Sequence, residues 1–501
     1  MTKQPLKKIS ICFCLLLLSA FVIAQKVAVF DGRVDIGKVL HAGTVSYNEE
    51  TQQYKLSGSG SNIWFNHDEF SYLYKKMKGD FILQTRCSLI GKGVEEHRKY
   101  GWMIRTSLDT SSPMVCTALH GNGLTSLQFR KSTGANVEQD TFTTRLPDVV
   151  ELERKGNKFI MSVAHWGEPY VIKQVSDIDL GDEVYVGLFV CAHNKDVVEQ
   201  GNFSSVRIIT PAKENFVPYR EYIGSHIELM NVSDGNRKII YTSPLSLQAP
   251  NWTPNNKSLI YNSNGLIYKF DLAKRTPELL NTDTVKRNNN DHVLSFDGKM
   301  LGLSSSDGKY NSIVYTVSST GGVPKRITPV GPSYLHGWSP DKKFLVYTAE
   351  RGDGNFDIYK VSSAGGQEIR LTTAAGLDDG PEFSPDGKYI YFNSTRSGTM
   401  QIWRMNSNGS NQVQITSDEF NNWFPHISPD GNWIVLLSFL KDVKPDDHPF
   451  YKHVYLRLMP VSGGQPKVIA YVYGGQGSIN TPSWSPDSKR IAFVSNSGIK
   501  E

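Results

Sequence analysis

The chain has 501 residues, 39% of them hydrophobic and 21% charged, with 54 Lys and Arg against 49 Asp and Glu for a formal net charge of +5. That length exceeds what one hydrophobic core organises and points to two domains. The small positive excess excludes nucleic acid as a partner, because no basic stripe is left to offset a phosphate backbone.

Lys3, Lys7 and Lys8 precede the apolar run ISICFCLLLLSAFVIA, which ends at Ala24. A basic start, an apolar stretch of about 15 residues and Val22 and Ala24 at its end form the pattern of a secretory signal peptide; a membrane span needs about 20 residues. Residues 1–24 are expected to be removed, leaving a periplasmic or secreted protein with no membrane span in the mature chain. Cys12 and Cys14 lie within the run and not directly after the cleavage point, so no lipoprotein anchor is expected. Beyond it, Cys87, Cys116 and Cys191 are odd in number and widely spaced. That favours buried free thiols over a disulfide framework, although an oxidising compartment would allow one bridge. The chain contains no CxxC and no HExxH.

Residues 25–210 read as a domain of strands. GDFILQTRCSLIG, YGWMIRTSL, PMVCTALHG, LTSLQFRKS, VVELERKGNKFIMSVA and EVYVGLFVCAH alternate or run apolar, and turns such as Gly121-Asn122-Gly123 and Lys155-Gly156-Asn157 separate them. Strand number and spacing predict a two-sheet β-sandwich or jelly roll. The order of these segments resembles the concanavalin A-like, laminin-G-like jelly rolls of bacterial secreted proteins, which implies a concave face able to bind carbohydrate. His97, Arg105, His120, Arg130 and His193 lie on or beside strands that would share a face. With Trp102 they would form a groove for sugar hydroxyls or acidic groups. The alternative is a set of paired polar residues in the sandwich interior or on its solvated face. PAKENFVPYREY follows, and residues 211–221 are expected to be a short, semi-rigid linker.

From residue 222 to 501 the chain repeats itself. GPEFSPDGKYIYFNS from Gly380 is echoed by HGWSPDKKFLVYTAE, FPHISPDGNWIVLLS and TPSWSPDSKRIAFVS. The anchors Asn255, Asp297, Asp341, Asp386, Asp430 and Asp487 are mostly about 44 residues apart, the period of a propeller blade. Ser-Pro-Asp-Gly is turn chemistry, and alternating strands such as KYIYFNS and QIWRMNS follow it. The last unit stops after two inner strands, whereas HIELMNVSDGNRKIIYTS, His226 to Ser243, reads as an outer pair. A six-bladed β-propeller is therefore expected. Closure would come from its N- and C-terminal segments, with about Ile227 to Thr242 completing the blade that contains Trp484. GPEFSPDGKYIYFNSTRSG and IYKVSSAGGQEIRLT resemble the WD40-like (PD40) repeats of TolB-like propellers, over about residues 220–501. That resemblance implies the fold and much less about function. TolB has a small α/β domain ahead of its propeller; nothing similar occurs here, so a role in the Tol-Pal system is not expected.

Propellers place ligands at the channel mouth, near the start of the innermost strands. The candidates are Asp291, His292, His336, Asp378, Asp379, Glu382, Asn422, His426 and Asn480. Histidines and carboxylates around one ring would suit a divalent cation, the one cofactor expected here, though none is firmly indicated. Oligogalacturonate lyases have a related propeller with a histidine-bound metal, but here the histidines sit singly in different blades. The insertion DDHPFYKH adds His448 and His453 in a loop expected to shape the mouth or dock a partner. Asp353, Asn355 and Asp357 in DGNFD lack the distal glutamate of a calcium loop and read as a polar hairpin turn. Prolyl-oligopeptidase-type enzymes also carry a propeller, but no G-x-S-x-G elbow occurs, so serine hydrolysis is not expected. The leading reading is an exported, non-catalytic binding protein for a glycan or an envelope protein. The alternatives are a metal-assisted polysaccharide (uronate) lyase at the channel mouth and an inert scaffold.

Overall fold

The computed structural model describes residues 26–499, and the expected leader lies outside them. Among the described residues the ordered elements are 37 β-strands. No helix among them is long and apolar enough to cross a membrane.

The first domain is built from two seven-stranded antiparallel sheets. In the first, Phe70–Lys78, Glu183–Cys191, Lys99–Arg105 and Met114–His120 are neighbours; in the second, Lys158–Ala164, Val149–Lys155, Phe81–Ile90 and Glu199–Ile209. Alternation aims Leu73, Trp102, Ile104 and Leu188 from one sheet, and Leu83, Leu152, Met161 and Phe203 from the other, into a shared core. Cys87, Cys116 and Cys191 are buried free thiols.

The second domain is a six-bladed β-propeller. Five four-stranded sheets follow one another in chain order, from Gln248–Trp252 to Lys467–Gly474. A further sheet joins Arg237–Ser243, Ser225–Asn231 and Arg490–Asn496; Ser225–Asn231 pairs along its whole length with Arg490–Asn496, and Trp484 bridges to Ile491. The repeated turn has a physical explanation in its hydrogen bonds. Ser384 Oγ donates to Asp386 Oδ1 at 2.7 Å, Asp386 Oδ1 accepts from Lys388 N at 3.1 Å, and Ser384 Oγ accepts from Tyr389 N at 3.0 Å. The same lattice recurs at Ser339/Asp341, Ser428/Asp430 and Ser485/Asp487. Each unit thus satisfies its own turn and starts its second strand at the same place. Tryptophans just before the motif tie neighbouring blades: Trp338 Nε1 donates to Val293 O and Trp484 Nε1 to His426 O, both at 2.9 Å.

The domains pack through blade five and the three-stranded sheet that contains Ser225–Asn231. Val149, Ala164 and Trp166 meet Tyr455, Val468 and Tyr471, while Ile82 and Ile209 meet Phe450, Tyr451 and Tyr473. Between them lies a buried ionic node. Glu228, on Ser225–Asn231, accepts from Arg237 Nε and Nη2 at 2.8 Å each, and from Arg207 Nε at 3.2 Å; Ser495 Oγ also donates to it. Arg207 belongs to the sandwich strand Glu199–Ile209, and Ser495 to the last strand of the chain. Burial pushes the Glu228 carboxyl up, but the two guanidiniums overcome this and hold it well below the usual carboxylate range.

Removing a single partner from such a cluster leaves uncompensated buried charge. Glu228→Gln is expected to lower the unfolding free energy by about 3 kcal/mol in urea titration. Lys342→Ala, which breaks the surface pair with Asp297, is expected to leave it unchanged within error.

Candidate functional site

The innermost strand of each of the five complete blades carries a register irregularity: between Gln248 and Asn251, Asn288 and His292, Leu335 and Gly337, Asp379 and Glu382, and Trp423 and His426. A bulge changes which way the following side chains project. In blades two to five, Asp291, His336, Asp379 and Phe424 at the bulges reach one end of the channel, while residues after the bulges such as Val293, Gly337, Glu382 and Ile427 face the other end. At Phe424 the bulge imposes φ +52°, a strained conformation for a bulky side chain, stabilised by Phe424 N donating to Asn393 Oδ1 at 3.0 Å.

The mouth is an open cavity of about 710 Å³. Asp291, His336, Asp379 and Asn480 line it, joined by Asp446 and His448 from the insertion and by Tyr219 from the linker. Tyr334, Phe356 and Phe424 supply further aromatic surface, and Asn289, Asn290, Asn311, Asn355 and Gln476 supply amides. Asp379 Oδ1 accepts from Thr348 Oγ1 at 2.6 Å and from Gly380 N at 2.7 Å, and lies 3.3 Å from His336 Nε2. His448 stacks on Trp423 with ring centroids 4.5 Å apart, and His336 lies over Phe424 at 5.9 Å. Burial pushes the Asp379 carboxyl up, but His336 and the donated hydrogen bonds outweigh it and bring the group to about 2. Burial raises Asp291 to about 6, with His336 opposing and Asp379 adding to the rise. Burial lowers His336, yet Asp291 and Asp379 reverse the sign and leave it raised. Burial also lowers His448. The mouth therefore holds a fixed anion, a cation-prone histidine and a carboxyl able to exchange its proton near neutrality.

Four of the nine channel candidates meet here. His292 is enclosed, with Nε2 3.3 Å from Ile260 O. Asp378 is paired with Arg396 at 2.6 Å. Asn422 donates to Gln401 Oε1 and Asp418 Oδ1, both at 3.0 Å, and accepts from Ser438 Oγ, which locks blade four to blade five. Glu382 accepts from Ile427 N at 3.0 Å and lies 2.6 Å from His426 Nδ1, while His426 Nε2 bonds Ile479 O. Both ring nitrogens of His426 are thus occupied, and the residue is not free to ligate an ion. Past Glu382 the opposite end of the channel is apolar, a cavity of about 200 Å³ among Trp252, Phe296, Trp338 and Trp484 and the prolines of the turns.

In the sandwich, Trp102 is wholly buried in the core. Arg105 and Arg130 are equally enclosed, both paired with buried Asp68, with Arg130 bidentate at 2.7 and 2.8 Å. These three side chains do not line an open face. His97, His120 and His193 do come together, with ring centroids 6.0 and 5.5 Å from His97, beside buried Lys99. In the DGNFD turn, Asn355 Nδ2 donates to Asp357 Oδ2 at 3.0 Å, and Asp357 pairs with Arg370.

Fold and site together describe a six-bladed propeller with a polar, aromatic mouth of ligand size. The family model for the TolB beta propeller domain matches residues 336–444. An uncharacterized protein of Agrobacterium fabrum is 42% identical over 271 residues, covering 54% of this chain and 92% of that protein. A solved structure of a TolB-type protein from Agrobacterium tumefaciens is 41% identical, covers 56% of this chain and all of that one, and has a TM-score of 0.53. The TolB of Acinetobacter baumannii is similar at 21% identity over 55% of this chain and 64% of that one, with a TM-score of 0.38. The chain belongs to the TolB-like β-propeller family.

The Asp291 carboxyl gives the site a pH signature. Raised to about 6, it keeps its proton in the folded state to higher pH than an ordinary aspartate, at 3.8, would. The folded form therefore binds more protons between those values, and stability falls as pH rises through that window. Asp291→Asn removes this loss. Relative to wild type, its unfolding free energy is expected to rise by up to about 3 kcal/mol between pH 4 and pH 7.5 in denaturant titrations. A difference that is flat across this range contradicts the assignment.

Proposed function

We propose that this chain is an exported, non-catalytic binding protein that recognises a glycan at the propeller mouth. The single observation carrying the reading is the mouth's composition: Tyr219, Tyr334, Phe356 and Phe424 beside a rim of asparagines, Gln476, Asp291 and Asp379. A sugar offers an apolar C–H face to aromatic rings and paired hydroxyls to amide and carboxylate groups, and a pocket of this size holds one to a few residues. The carboxylates Asp291, Asp379 and Asp446 favour a neutral or amine-bearing sugar over an acidic one. The basic, apolar pattern before Ala24 supports export, to the periplasm or the outside. We read the first domain as a concanavalin A-like jelly roll, a reading supported by its two seven-stranded sheets, and the propeller as a ring closed by the pairing of Ser225–Asn231 with Arg490–Asn496.

Two other readings have specific observations behind them. An envelope protein would use the same mouth by inserting a polar or basic loop between Tyr219 and Asp446. A metal-assisted uronate lyase draws on His336, His448 and Asp379, but His426 is committed elsewhere and the excess of carboxylates opposes a uronate.

Glycan-array screening followed by calorimetry tests the proposal. A neutral or amino-sugar oligosaccharide is expected to bind, and Tyr334→Ala and Asp379→Asn are each expected to weaken it about tenfold or more. His97→Ala, in the sandwich, leaves the affinity unchanged. No binding by any glycan, or binding that both mouth variants retain in full, overturns the reading.

A further inference from the structure

His453, which the mouth does not use, sits at the domain interface. On the sandwich strand Val149–Lys155 the alternation of side chains puts Glu151 and Glu153 on one face, two residues apart. That face meets the propeller strand Lys452–Pro460, where His453 Nε2 lies 3.2 Å from Glu151 Oε1 and 3.9 Å from Glu153 Oε2. One donor atom from each of the three lies within 4.8 Å of the others. Both glutamates are buried, and His453 Nε2 is closed off from solvent. Ligand atoms sharing one tetrahedral ion at about 2.0–2.1 Å stand about 3.3 Å apart, between the two separations found here.

The second carboxylate oxygens are also accounted for. Gln84 Nε2 donates to Glu151 Oε2 at 3.0 Å, and Lys155 Nζ lies 3.1 Å from Glu153 Oε1. Each glutamate is thus held by one oxygen and presents the other inward, which is how outer partners orient metal ligands. Gln84 is in turn held by Arg237 Nη1 at 3.3 Å, which connects the cluster to the Glu228 node. Two buried carboxylates face one imidazole there, with Lys155 Nζ on the outer oxygen of Glu153, and a cation between the inner oxygens would offset the cost of burying them.

We infer that Glu151, Glu153 and His453 form a binding site for a first-row divalent cation, zinc by its mixed nitrogen and oxygen donors, that pins the sandwich to blade five. Water would complete the coordination. The site is separate from the mouth, and its role is to fix the relative position of the two domains.

The test uses the full chain without a histidine tag, stripped with chelator and titrated with zinc chloride alone. Glu153→Gln and His453→Gln, both close in shape to the native side chains, are compared with His336→Ala at the mouth. Wild type and His336→Ala are expected to bind one zinc at this site and to melt at higher temperature with it. Glu153→Gln and His453→Gln, folded by circular dichroism, are expected to lose that equivalent, or at least tenfold in affinity, together with the shift in melting temperature. Absence of zinc binding in wild type overturns the inference. So does binding that survives in both interface variants, or that is lost only in His336→Ala, which would move the ion to the mouth.

Discussion

Glu228 is the point at which three parts of the chain are joined. Its carboxylate is shared by Arg207 from the sandwich, Arg237 from the neighbouring strand and Ser495 from the end of the propeller. Burying three charges costs solvation energy that their attraction barely repays, so the node contributes less net stability than specificity of arrangement. Its donors tie together one placement of the first domain, Ser225–Asn231 and Arg490–Asn496. Apolar contacts at Trp166, Tyr455 and Tyr471 supply the burial energy that this placement orients.

With Ser225–Asn231, Arg490–Asn496 and the first domain joined at Glu228, the blades share a frame on which a site can be built. The turns close on themselves through Ser and Asp, and the inter-blade bonds of Trp338, Trp484, Glu382 and Asn422 fix the blades against one another. The innermost strands are then free to bulge, and the bulges divide the channel. One end collects Asp291, His336 and Asp379; the other collects tryptophans and turn prolines. Loops from outside the repeat finish the mouth, with Tyr219 from the linker and His448 from the insertion. A binding site made by loops on a rigid frame is where recognition can vary without disturbing the fold.

The propeller was legible because its information is local and repeated: an Asp or Asn anchor, a turn and a period-two strand, six times. The mouth was legible only in part. Asp291 and His292 are adjacent in sequence, yet one faces the cavity and the other is sealed against Ile260. Nothing in a period-two pattern marks the bulge that separates them. Glu382 and His426 look like site residues because they are polar and precede the repeated motif, but Asn251 precedes it too and bonds Leu294 N across blades, as Glu382 bonds Ile427 N. That shared position was the available signal that they are joints. The sandwich misled in a similar way: Arg105 and Arg130 alternate onto a face with Asp68, and only the fold reveals that the face is closed.

The most direct measurement is hydrogen–deuterium exchange of the full chain with and without a bound oligosaccharide. Protection is predicted around residues 286–292, 333–337, 376–380 and 445–449, which surround the mouth, with the sandwich histidines and the apolar end of the channel unchanged. Protection confined to the sandwich, or to the apolar end, would contradict the assignment of the mouth as the binding site.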